Sequence, residues 1–202
     1  MLLQRLSRTF FWLALALYLG GIITLGAIVA PALAQTVRQD HVTYPSLPTG
    51  LDMDRQTIGQ LFGPLLYRFL YVEMACAGVM AVAIAIETWV GGQHASTPND
   101  APSAPRFPIS LKIRSFLLLI VLALLAYDAF QLTPSVWHAR NAWRTAASTN
   151  PAAAHGALED QFNILHIRSE NLGHAKVYAL LALLVVTAWS IPRKGQPTSP
   201  KA

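Results

Sequence analysis

Residues 26–35 read GAIVAPALAQ, from Gly26 to Gln35. The reading of this stretch decides whether the chain has four membrane spans or three. Ala32-Leu33-Ala34 places small residues as a signal peptidase requires ahead of a cut before Gln35. The same residues can instead be the far end of a retained helix. Length separates the two readings. The apolar run Phe10 to Ala34 has 25 residues and no charge, with Thr24 its only clearly polar member. At ~1.5 Å per residue it reaches ~37 Å, enough to cross a bilayer with some tilt. The apolar core of a signal peptide is only about 7–15 residues. The expectation is a retained first helix.

Composition agrees with a membrane protein. Of 202 residues, 53% are hydrophobic and 12% charged, where a soluble domain usually has about a quarter charged. Mean hydropathy is +0.40. The net charge of +5 lies between apolar runs, so topology explains it better than nucleic acid. The single cysteine, Cys76, sits inside an apolar run and matches no zinc spacing.

Three further runs follow. The second, Pro64 to Val90, has Arg68 and Glu73 near its start and Glu87 near its end. Ala77, Ala81 and Ala85 recur every four residues, a spacing that lets a neighbouring helix approach closely. The third, Ser115 to Val136, contains Asp128 and is preceded by Lys112 and Arg114. The fourth, Val177 to Ile191, reaches span length only with Leu172 to Lys176 included and the Lys176 amine snorkelling outward. The predicted fold is all-α: an integral membrane four-helix bundle in one domain. Its helices are expected at about 10–34, 64–90, 113–136 and 172–191. A linker at 92–112 and loops at 35–63 and 137–171 are expected to join them. Asp52 is placed to cap a short helix ending at Gly63-Pro64, and Asn150-Pro151 to open another.

Four spans put both termini and the 92–112 linker on one side. That side holds Arg5, Arg8, Arg106, Lys112, Arg114, Arg193, Lys194 and Lys201 against Asp100. The other side holds five arginines against six acids. Basic residues favour the cytoplasm, so both termini are expected there, in a bacterial inner (plasma) membrane, with 35–63 and 137–171 external.

This orientation gathers ionisable groups in the outer half. Asp128, Glu73, Arg68, His138, His166, His174 and Lys176 are all placed there, and such groups inside a membrane face a bundle interior or a cavity. The plain reading is a structural ion-pair layer, Arg68 or Lys176 with Asp128 or Glu73. The functional reading is an outward-opening polar pocket, with Asp128, Glu73, Arg68, His166 and Ser169 as the ligand-binding candidates. Glu87 is expected to be solvated at the inner interface. Arg140 and Arg144 are expected to make headgroup or loop contacts, and Tyr67, Tyr71, Trp12, Trp137, Trp143 and Trp189 to be interface anchors.

Three segments resemble the bacterial branch of the transmembrane protein 205-like family of small membrane proteins. They are ALYLGGIITLGAIVAPALAQ (16–35), LFGPLLYRFLYVEM (61–74) and FNILHIRSENL (162–172). The resemblance implies a four-helix integral membrane protein and makes His166, Ser169 and Asn171 the most family-like polar positions. It implies no activity, because that family has no defined molecular function.

No nucleophile elbow, phosphate loop or paired-carboxylate motif supports an enzyme. No cofactor is expected: the histidines lack i, i+4 pairing, and neither HExxH nor CxxCH occurs. The expected function is a non-enzymatic accessory or scaffold protein. The alternatives are a small transporter or permeation protein, and, behind it, a haem- or metal-binding protein. The partners expected are the lipid bilayer and a second copy or another membrane protein.

Overall fold

The computed structural model describes residues 2–40, 53–94, 109–150 and 156–190, with side chains at 53–56 and 91–94 left aside. The described residues form four helices and no strand: α1 Leu2–Gln39, α2 Met53–His94, α3 Ile109–Thr149 and α4 Ala157–Trp189. Each is long and apolar enough to cross a membrane. Gly26 to Gln35 is helical from end to end, inside the first of the four candidate spans.

All four helices outrun their apolar stretches. The predicted boundaries followed hydropathy, and hydropathy marks where a bilayer would end, not where the backbone stops hydrogen-bonding. The expected loop at 137–171 is helical up to Thr149 and again from Ala157, and α4 passes straight through Gly173. The expected break at Gly63-Pro64 is absent too, since α2 runs through Pro64. That proline removes the N–H that would serve the Gln60 carbonyl. Helices meant for lipid tolerate the loss because neighbours can re-satisfy the freed group. Asn150 is extended (φ −151°, ψ 102°), as a residue before proline prefers. The caps expected from Asp52 and Pro151 lie outside the described residues.

Two prolines leave a local mark. α1 widens into a π-helical turn at Thr24–Val29, just before Pro31, and α3 does so at Asp128–Leu132, just before Pro134. The Ala30 N–H donates to the Leu25 carbonyl and the Thr133 N–H to the Asp128 carbonyl, five residues back in each case. The wider turn reroutes donors ahead of a residue that has none.

Neighbouring helices run antiparallel. Ser7 of α1 meets Ala83 of α2, and Gly21 meets Phe69, so the partner recedes as α1 advances. Arg114 meets Glu87 while Arg140 meets Gly59 and Gly63. Asp128 meets Lys176 while Trp143 meets Phe162. The closest partnerships are α1 with α2 and α3 with α4, and α2–α3 and α1–α4 contacts close the ring. The core between them is apolar: Phe11, Leu15, Tyr18, Met80, Val121, Leu180 and Leu183 are fully enclosed. Ala77 and Ala83 help α2 sit close to its neighbours.

Gly21 fixes one of these approaches. A Cβ there would fall well inside van der Waals contact with the Phe69 Cζ. Gly21→Ala is therefore expected to force the Phe69 ring aside and destabilise the bundle by about 1–3 kcal/mol. Thermal unfolding in detergent measures this, and an unchanged midpoint would refute so close an approach.

Candidate functional site

Three helices meet at one buried cation. Lys176 of α4 is 5% exposed. Its ammonium donates to the Glu73 Oε2 of α2 at 2.7 Å and to the Asp128 Oδ2 of α3 at 2.8 Å. Asp128 opens the π-helical turn of α3, and the Thr133 hydroxyl donates to its Oδ1 at 3.0 Å. One carboxylate oxygen thus faces the cation while the other faces its own helix. From α1, the fully buried Tyr18 presents its hydroxyl beside Glu73, within electrostatic reach of Asp128 and Cys76. Among the described residues that hydroxyl has no partner other than the neighbouring Glu73. All four helices contribute to this cluster.

The expected layer is therefore present, with Lys176 as its cation. Arg68 is not part of it. Its side chain is exposed, because its position on α2 turns it away from the bundle axis. His166 and Ser169 also lie elsewhere. His166 is exposed, 3.3 Å from Glu170 one turn on, and its ring stacks on Phe162. Ser169 is half-buried on the same helix, and His138 and His174 are exposed. Of the five ligand candidates, Glu73 and Asp128 are brought together, and Arg68, His166 and Ser169 are not. Among the described residues no group of three or more His, Cys, Asp or Glu is placed to hold a metal.

A second cluster lies nearer the amino-terminal end of α1. Glu87 is 7% and Arg114 6% exposed, which corrects the expectation of a solvated Glu87. The Arg114 Nη1 donates to the Glu87 Oε2 at 2.9 Å. The Arg114 guanidinium also lies over the Phe11 ring, 4.5 Å from its centroid. Arg8, largely exposed, stands 3.7 Å from the Glu87 Oε1, an ion pair too long for a hydrogen bond. The Ser7 hydroxyl ties α1 to α2 at the same level through the Ala83 carbonyl.

The two clusters share one spacing. Glu73 precedes Glu87 on α2 by as many residues as Arg114 precedes Asp128 on α3. At ~1.5 Å per residue each step is ~21 Å. On antiparallel neighbours, a pair that meets at one level brings the other two to a common level. That matched spacing was the legible signal for the Glu87–Arg114 pair, and a reading of each helix alone misses it.

At the opposite end Arg140 is buried, 7% exposed, against the expectation of a headgroup or loop contact. Its guanidinium lies in a notch made by two glycines of α2. A Cβ on Gly59 would come 2.8 Å from Nη2, and one on Gly63 3.0 Å from Nη1. Trp143, three residues on, is 4% exposed and stacks on Phe162 at 5.4 Å and 14°, so it packs α3 on α4 and is not an interface anchor. Tyr67 and Tyr71 are exposed and meet edge-on, with centroids 5.5 Å apart. No family model, no curated protein and no solved structure matches this chain.

Proposed function

We propose that the chain is a multi-pass protein of the bacterial plasma membrane, both termini cytoplasmic, acting as a non-enzymatic accessory or scaffold protein. The use of its buried charges supports this. Lys176 is answered from two other helices, and Arg114 from one. Charges spent on each other across helices fasten a bundle. With α1 entering from the cytoplasm, the Glu87–Arg114 pair lies near the inner interface. The Lys176 cluster then lies ~21 Å further on, in the outer half of a hydrocarbon layer about 30 Å thick. The exposed Leu13, Leu17, Phe116, Leu119 and Val185 suit lipid. The likeness of three segments to the transmembrane protein 205-like family agrees with this layout.

Burial of Arg114 and Arg140 removes one cation from each side's count, and seven cytoplasmic cations still outnumber four external ones. A tag on either terminus should therefore resist external protease in spheroplasts and be digested only after lysis. External digestion of the carboxy-terminal tag would reject the orientation. For the scaffold role, purification in mild detergent should retain a membrane protein partner or a second copy in fixed ratio. A lone monomer that supports ion flux in liposomes would favour the permeation reading instead.

A further inference from the structure

We propose that the Lys176 cluster binds one exchangeable proton, held on Glu73. The charge count motivates it. Two carboxylates, Glu73 and Asp128, contact one ammonium. The other groups facing them are neutral: Tyr18 from α1, Cys76 from α2 and Thr133 from α3. Arg68, the basic residue nearest in sequence to Glu73, is exposed and forms no ion pair among the described residues. With every acid and base ionised, the enclosed cluster would have a net charge of −1. An uncompensated charge is costly away from water, and one proton cancels it.

Geometry selects the carboxylate. Asp128 has a donor on each oxygen, Lys176 on Oδ2 and Thr133 on Oδ1. Its side chain is 14% exposed, against 6% for that of Glu73. Asp128 is thus the better-solvated anion and the lasting partner of Lys176. Glu73 receives Lys176 on Oε2 alone, which leaves Oε1 for the proton. The protonated Oε1 would donate to the Tyr18 hydroxyl oxygen, which is buried beside it and has no other partner among the described residues. The proton would enter and leave on the side of Asp128, the more exposed of the two carboxyl groups.

Infrared spectra of the full chain in nanodiscs at neutral pH test this. The inference rests on the cluster geometry and not on the scaffold reading, since the spectrum is read the same way whether or not a partner co-purifies. The wild-type chain should show the carbonyl stretch of one protonated carboxyl group, shifting in heavy water. The band should vanish in Glu73→Gln, which removes the group. It should also vanish in Asp128→Asn, where Lys176 then balances Glu73 alone. A wild-type chain without the band overturns the proposal, and that measurement needs no variant to fold. Persistence of the band in Glu73→Gln overturns the assignment to Glu73. Loss of the wild-type band when sodium replaces choline at fixed pH would show a bound cation displacing the proton, and overturns the proton as the cluster's standing counter-charge.

Discussion

Lys176→Met should be the most destabilising single substitution in the bundle. The methionine fills a similar volume, so packing is largely kept. What is lost is the cation that bridges Glu73 and Asp128. The two carboxyl groups would then face each other, with the charge of Asp128 uncompensated. Breaking a buried ion pair by removing one partner costs about 3–5 kcal/mol in soluble proteins. Here one ammonium ties carboxyl groups of two other helices, which favours the upper end. The orphaned Asp128 carboxylate can escape only by taking up a proton. The folded variant then binds more protons than the unfolded chain, so its stability should rise as pH falls. Asp128→Asn should be much milder, because Glu73 keeps Lys176 paired. Combining Lys176→Met with Glu73→Gln and Asp128→Asn should recover most of the loss. Thermal unfolding of these variants in one detergent, at neutral and acidic pH, provides the comparison. A Lys176→Met protein as stable as wild type at neutral pH would mean that the ammonium does not hold these helices together.

The second large effect is expected at Arg114. Arg114→Met strips the buried Glu87 of its 2.9 Å hydrogen bond and removes the cation from the face of Phe11. The contact with the ring is worth about 0.5–2 kcal/mol. Most of the remaining loss is the penalty of leaving Glu87 enclosed. Arg8 limits it, since it already stands 3.7 Å from the second carboxylate oxygen and can close in from its exposed position. The total should be about 2–4 kcal/mol, below that at Lys176. Glu87→Gln should cost less than Arg114→Met, because the amide oxygen still accepts from Arg114. A cycle of the two single variants and the double variant should give a coupling of at least about 1 kcal/mol. Zero coupling would leave the pair as a bystander to stability.

The four spans were legible because a helix in lipid must be apolar for most of its length, and the chain holds four such runs. The Glu73–Asp128–Lys176 layer was legible for a related reason. Charges are so rare in these runs that those present at one depth have few partners other than each other. Choosing between Arg68 and Lys176 was another matter. It needed the rotation of α2 about its axis, and the four-residue alanine repeat gave that only loosely. Arg68 falls on the outward side of the same helix that turns Glu73 inward. Glu87 was misread because its place near the end of an apolar run suggested water, while its level against Arg114 decided its burial. The polar stretch from Trp137 to Thr149 was misread as loop for want of an apolar stripe, although Ala139, Arg140, Trp143 and Ala147 form a buried face at helical spacing. Two of those four are long polar or amphipathic side chains, so a hydropathy average conceals the face. The arginine in it is admitted only because Gly59 and Gly63 give it room.

The π-helical turn at Asp128 acts as a gear tooth in α3. It packs one more residue into a turn than an α-helix does. If it relaxed to ordinary α-helix, everything beyond it would rotate by ~100° about the helix axis, the angle one residue occupies. Trp143 would leave Phe162, Arg140 would leave its glycine notch, and Asp128 would turn relative to the segment that now follows it. The hold of Lys176 on Asp128 at the start of the turn, and the seating of Arg140 and Trp143 beyond it, therefore fix one phase of the helix from both sides. Pro134 favours that phase by withholding the N–H that a regular turn would need at its position. The charged cluster and the distant aromatic stack, ~22 Å apart along α3, are thus meshed through the backbone, and loosening either would free the other to turn.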